Sequence, residues 1–139
     1  MKNWERFEHR LARKIGGKRT PGSGNGNQKG DIKSSKLLIE AKETSKDYLV
    51  IDTAWFINLS KEAEKRKVAP ILAIEFGSGT TRYLIPDADV DIVGYVDISD
   101  ARSYKLKEEA AVEGLALVTH SHDWVVVGPS TFEALMDDY

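Results

Sequence analysis

A chain of 139 residues, 41% hydrophobic and 30% charged with a net charge of −2, has the size and composition of one globular domain with its own core. It contains no apolar run of transmembrane length, and its polar start, Met1 to Arg10, lacks a signal-peptide pattern, so a cytoplasmic protein is expected, in a bacterial, archaeal or phage-infected cell. The absence of cysteine excludes disulfides and thiolate metal centres.

The small net charge hides an asymmetry. Residues 1–46 carry 12 Lys/Arg against 5 Asp/Glu, whereas residues 47–139 carry 8 against 17. A basic segment suits contact with a polyanion. Its first element is a helix over residues 3–16, where Trp4, Phe7, Leu11 and Ile15 recur at helical spacing and Gly16-Gly17 ends the pattern. Residues 18–30 read as a Gly/Asn/Ser loop edged by Lys18, Arg19 and Lys29. This loop contains neither glycine spacing of a nucleotide cradle. Residues 31–42 then read as a β-hairpin turning at Ser35-Lys36.

Downstream, Tyr48–Ile51 precedes a helix over 53–67, with Asp52 or Thr53 as N-cap and Trp55, Phe56, Leu59 and Ala63 as its buried stripe. Pro70–Phe76 and Arg82–Ile85 are expected strands on either side of a Gly77-Ser78-Gly79 turn. The acidic stretch 87–100 has strand character at Ile92–Val96, and Ala101–Ala111 is expected to be helical. Leu115–Val118 and Trp124–Val127 read as strands joined by His120-Ser121-His122-Asp123. That turn has too few further ligands to form a metallo-hydrolase signature. A capping box, Ser130-Thr131-Phe132-Glu133, opens a last helix to about Asp138. The element order predicts an α/β chain in which a central mixed sheet is flanked by helices.

The hairpin carries the chemistry. With Ser35 and Lys36 as the loop, Lys33 faces Leu38, Ile32 faces Ile39 and Asp31 faces Glu40. Strand alternation puts Glu40 and Lys42 on one face and Ala41 on the other. Carboxylates directly opposite each other repel, and a hard divalent cation between them removes the penalty. Such a cation acidifies water and polarises a phosphoryl oxygen. Asp31 and Glu40, with the Ala41 carbonyl, are the expected ligands of Mg²⁺ (Mn²⁺ as a substitute). Lys42 would orient or deprotonate water, or neutralise developing charge. Lys18, Arg19 and Lys29 are expected phosphate contacts, with Arg13 and Lys14 beside them and Lys46, Lys61 and Lys65 as weaker candidates.

Four stretches carry a family resemblance: Glu8–Ile15, Lys18–Gly24, Gly30-Asp31-Ile32 and Leu38-Ile39-Glu40-Ala41-Lys42. Through them the chain resembles the PD-(D/E)XK nuclease superfamily, and within it the archaeal-type and phage Holliday junction resolvases. The likeness covers residues 5–76. Gly30 stands where the family usually has Pro, and residues 77–139 follow the compact archaeal pattern poorly. The resemblance implies a single nuclease domain over 1–139 with a restriction-endonuclease-like core, residues 77–139 adding strands and a C-terminal helix. It implies that Glu8 (or else Glu5) assists the metal site and that Ser23 is a functional loop serine touching DNA.

The expected function is therefore a Mg²⁺-dependent endonuclease cutting four-way DNA junctions as a homodimer. Alternatives are a related nuclease acting on branched, nicked or linear DNA, a non-catalytic DNA-binding module, or an interaction protein with a merely polar hairpin. No membrane and no nucleotide cofactor are expected.

Overall fold

The apolar runs and alternating segments assemble into a mixed sheet with helices on both faces. The computed structural model describes residues 36–137 and, as strand backbone, 18–19 and 32–33. In chain order the elements are β1 (Lys18–Arg19), β2 (Ile32–Lys33), β3 (Leu37–Glu43), β4 (Tyr48–Asp52), α1 (Thr53–Arg66), β5 (Ala69–Glu75) and β6 (Thr81–Pro86). There follow β7 (Gly94–Asp97), β8 (Ser103–Lys107), a 3₁₀ turn (Glu108–Ala110), β9 (Leu115–Val118), β10 (Asp123–Val127) and α2 (Pro129–Met136). Among the described residues one sheet runs β1-β2-β3-β5-β6-β10-β9-β7, and β4 pairs with β8 in a separate ribbon. The fold class expected from the sequence is the one observed.

β3 is an inner strand between β2 and β5, and the layers of α1 and α2 cover its first residues on both faces. That is why Leu37-Leu38-Ile39 is a continuous apolar run, at 4%, 0% and 0% exposure. β3 and β5 are parallel, Leu38 beside Pro70 and Glu40 beside Leu72. A parallel pair needs a crossover, and β4 with α1 supplies it. Leu38, Leu72 and Ile74 pack with Phe56, Leu59 and Ala63 of α1 and with Trp124. Phe56 and Trp124 stack at 4.6 Å. Leu37, Ile39, Ile71 and Ala73 face the other way, into a second cluster with Tyr83 and Phe132, whose rings stack at 3.8 Å.

α1 starts where Asp52 accepts a hydrogen bond from the Ala54 amide at 2.9 Å. It ends at Lys67, whose φ of 57° closes the last turn against the Glu64 carbonyl. Lys65 and Arg66 in the last turn oppose the negative end of the helix dipole. No helix among the described residues is long and apolar enough to cross a membrane.

Several expectations change. Lys18–Arg19, expected in the loop, form β1, because their backbone pairs with β2 (Lys18 with Lys33, Arg19 with Ile32). A two-residue strand exists through its partner and leaves no pattern in its own sequence. Ala101–Ala111 forms no α-helix: Ser103–Lys107 is strand β8, with alternate residues Tyr104 and Leu106 turned toward the core, and only the 3₁₀ turn Glu108–Ala110 follows. Strand β7 begins at Gly94, two residues later than expected. α2 starts at Pro129 after Gly128, which makes no side-chain capping bond; Ser130 lies inside the helix because proline already supplies the first-turn geometry. Trp55 is only half-buried. The helix expected over 3–16 lies outside the described residues.

Candidate active site

The β2–β3 register matches the expected one, Ile32 with Ile39 and Lys33 with Leu38. The next step, Asp31 with Glu40, falls outside the described residues, as do Glu5, Glu8, Arg13, Lys14, Ser23 and Lys29. Lys18 and Arg19 are placed as β1 backbone.

Glu40 follows three core residues on β3 and is the sole buried charged side chain among the described residues, at 5% exposure. Alternation along the strand brings Lys42 to the same face. The Lys42 ammonium lies 3.1 Å from Glu40 Oε1 and 4.4 Å from the centre of the Trp55 ring. Trp55 comes from the first turn of α1, so the crossover that makes β3 and β5 parallel also delivers an aromatic floor for the lysine. Ala41 points to the opposite layer and packs on the second core cluster.

A carboxylate inside the fold is costly unless charge and hydrogen bonds compensate it. Lys42 provides one compensating charge, and the indole face adds a cation–π contact that holds the ammonium in place. The result is a fixed carboxylate–amine pair at the end of a rigid strand. Its oxygen donor chemistry fits a hard cation such as Mg²⁺. Among the described residues no three His, Asp or Glu side chains cluster as a complete ligand set, so a full set would draw on Asp31 and Glu8.

Helical spacing assigned both Trp55 and Phe56 to the core stripe; Phe56 is buried in it, and Trp55 packs half-buried at its margin. Two consecutive helix residues point about 100° apart, and that was the available signal that one of them lies at the margin. Glu43 and Glu75, adjacent in the β3–β5 register, were also not singled out. They end the two parallel strands on the face away from Lys42.

His120 and His122 occupy the β9–β10 turn, closed by the Thr119 amide donating to the His122 carbonyl at 3.0 Å. They reach different carboxylates: His122 Nδ1 lies 2.8 Å from Asp87 and His120 Nε2 3.4 Å from Asp100. Burial pushes the Asp87 carboxyl up, but hydrogen bonds from His122 and the Asp123 amide outweigh it and hold Asp87 below its ordinary value. An apolar groove lined by Ile57, Ser60, Val68, Pro70 and His122 runs along the far half of α1 and, apart from the weaker phosphate-contact candidate Lys61 on its wall, contains none of the expected site residues.

No protein-family model matches the chain, and no curated protein sequence matches it. Solved structures do. One is that of Hjc from Archaeoglobus fulgidus, a Holliday junction resolvase from an archaeal hyperthermophile, with a TM-score of 0.52 at 18% identity over 76% of this chain and 87% of the other. The two share a fold. The mixed sheet with flanking helices is consistent with a restriction-endonuclease-like core.

Proposed function

We propose that this chain is a metal-dependent, structure-selective DNA endonuclease of the PD-(D/E)XK superfamily that cuts four-way junctions. The observation that carries the reading is the buried Glu40 paired with Lys42 at 3.1 Å at the end of a central strand, in a fold shared with a junction resolvase. An interaction domain has no evident use for a desolvated carboxylate at that place.

In this reading Asp31, Glu40 and the Ala41 carbonyl, assisted by Glu8, hold Mg²⁺, with Mn²⁺ able to replace it. The bound cation supplies a more acidic water and a polarised phosphoryl oxygen. Lys42 stands beside the scissile phosphate, where its ammonium orients the attacking water and offsets the charge that builds up on the phosphate. Trp55 keeps that ammonium from swinging into solvent. Ser23, Lys18, Arg19, Lys29, Arg13 and Lys14 grip the backbone of the duplex and fix its position without reading bases. One chain provides one such site. Two symmetric cuts across a junction then call for a two-fold homodimer.

The test is incubation with a synthetic four-way junction, with and without Mg²⁺, beside matched duplex and flap substrates and the variants Asp31→Asn and Glu40→Gln. Paired symmetric nicks that need Mg²⁺ and vanish in both variants are expected. Equal cutting of linear duplex would leave the nuclease chemistry standing and remove junction selectivity. Cleavage untouched by both substitutions would remove the site.

A further inference from the structure

The β4–β8 ribbon has one face for the core and one for solvent. Ile51 and Leu106 are fully buried, and Leu49 and Tyr104 pack partly on the same cluster. In register, Tyr48 pairs with Lys107 and Val50 with Lys105, so these four alternate onto the outer face, where Val50 is 50% exposed. Lys46, just before β4, donates a hydrogen bond to the Tyr48 hydroxyl at 3.0 Å. Lys105 places its ammonium 4.1 Å over the same ring. Tyr48 is thus held between two ammonium groups.

The cluster is unusual for its surroundings. Residues 47–139 are strongly acidic in sum, yet among the described residues no carboxylate lies within ion-pair distance of Lys46, Lys105 or Lys107. Asp47, the acidic neighbour of Lys46 and Tyr48, forms no ion pair with the lysines. Lys46 and Lys105 hold instead to an aromatic ring, and Lys107 stands opposite that tyrosine in the strand register.

Its position is equally specific. Lys46 comes four residues after Lys42, and the turn between them is pinned. The Gly77 amide donates to the Lys46 carbonyl at 2.9 Å, and a side chain at Gly77 would collide with the Ser45 carbonyl. The ribbon therefore leaves the strand that carries Glu40 and Lys42 through a short, fixed turn. Lys105 and Lys107 lie about 6.7 Å apart along β8, roughly two phosphate steps of about 3.4 Å measured along a duplex axis.

We infer that the outer face of the β4–β8 ribbon is a second backbone-contact surface for duplex DNA, gripping an arm of the substrate beside the Glu40–Lys42 pair through Lys46, Lys105 and Lys107, with Tyr48 as their brace. This rests on the nuclease reading and extends its DNA contacts to residues far along the chain. Contact with phosphates releases counterions, so it carries its own signature. Each lost contact reduces the steepness of log K against log salt by about 0.9.

The experiment is fluorescence anisotropy of a labelled four-way junction in EDTA over a salt series, comparing the parent, Lys105→Ala/Lys107→Ala, Tyr48→Ala and Glu40→Gln. Circular dichroism melts confirm that each variant is folded. The double variant is expected to bind about tenfold more weakly at moderate salt, with a slope shallower by between about 1 and 2. Tyr48→Ala is expected to weaken binding less. Glu40→Gln is expected to lose cleavage and keep the slope. Unchanged affinity and slope in the double variant, while Glu40→Gln still abolishes cutting, would overturn the ribbon surface and leave the nuclease reading intact. Weaker binding at an unchanged slope would overturn it too, because the contact would not be with phosphates. A parent protein that neither binds nor cuts DNA would overturn both.

Discussion

Replacing Glu40 by Gln separates chemistry from folding. Glu40 Oε1 stands 3.1 Å from the Lys42 ammonium, where two unit charges attract by about 5 kcal/mol at an effective dielectric constant of about 20. Against that stands the removal from water of a carboxylate whose side chain is only 7% exposed, which costs several kcal/mol. Lys42 keeps 29% of its side-chain surface in solvent and also keeps the Trp55 ring, so it is not stranded when its partner becomes neutral. The two large terms nearly cancel, and glutamine preserves shape and one oxygen acceptor. Stability should change by no more than about 1 kcal/mol. Cleavage should fall by about a thousandfold or more, about 4 kcal/mol in activation free energy. Urea unfolding in EDTA and single-turnover junction cleavage measure the two quantities on one preparation. Cleavage within tenfold of the parent, or a stability loss above about 3 kcal/mol, would refute the reasoning, since the carboxylate would then be a structural half of a core ion pair.

Trp55→Leu should lower cleavage by between about ten- and a hundredfold with DNA binding retained, and Trp55→Phe should restore most of it. A leucine variant as active as the parent would show that the ring does not position Lys42. Phe56→Ala removes a ring that is 2% exposed and stacked on Trp124, and should cost about 3–5 kcal/mol in urea unfolding; a loss below about 1.5 kcal/mol would contradict the described packing. Asp87 is held below its ordinary carboxyl value of 3.8 by His122 and the Asp123 amide. Its stabilising contribution is therefore present above that value and disappears as the pH falls through the lower folded one. Since the side chain is 60% exposed, screening keeps the contribution under about 1 kcal/mol. The stability gap between the parent and Asp87→Asn should hold well above the ordinary value of 3.8 and close as the pH falls below it; a gap that stays constant into acid would contradict the assignment. Gly77→Ala, which drives a methyl into the Ser45 carbonyl, should cost about 1–3 kcal/mol and displace the turn leading into β4, seen as amide shifts at residues 44–48.

The hairpin register was legible in advance because a short polar turn between apolar runs leaves few ways to pair them, and Ile32 does face Ile39. Strands β5, β6, β9 and β10 were legible for a related reason, each having a buried apolar run at its centre. β8 was not. Lys105, Lys107 and Ser103 face solvent, and the two inward residues, Tyr104 and Leu106, are too few to set a period. Only pairing with β4 makes that segment a strand, and nothing local announces a partner more than fifty residues away. Within the candidate site, Glu40 and Lys42 followed from alternation alone. The indole beneath the lysine did not, because it depends on where the crossover helix lands on the sheet.

The two-layer burial of Leu37, Leu38 and Ile39 also sets what kinds of length change this protein can survive. These residues fill opposite cores on alternate positions, so a slip of one residue in β3 would exchange the layers. It would expel Glu40 and Lys42 from the α1 side and bring Ala41 and Glu43 in their place. A single deletion within 37–42 should be intolerable to both folding and cleavage. The exit turn at 44–47 lies past the last core residue of that strand, but the Thr44 amide on the Glu75 carbonyl and the Gly77 amide on the Lys46 carbonyl hold it, so an insertion there should displace the ribbon while leaving the carboxylate–amine pair where it is.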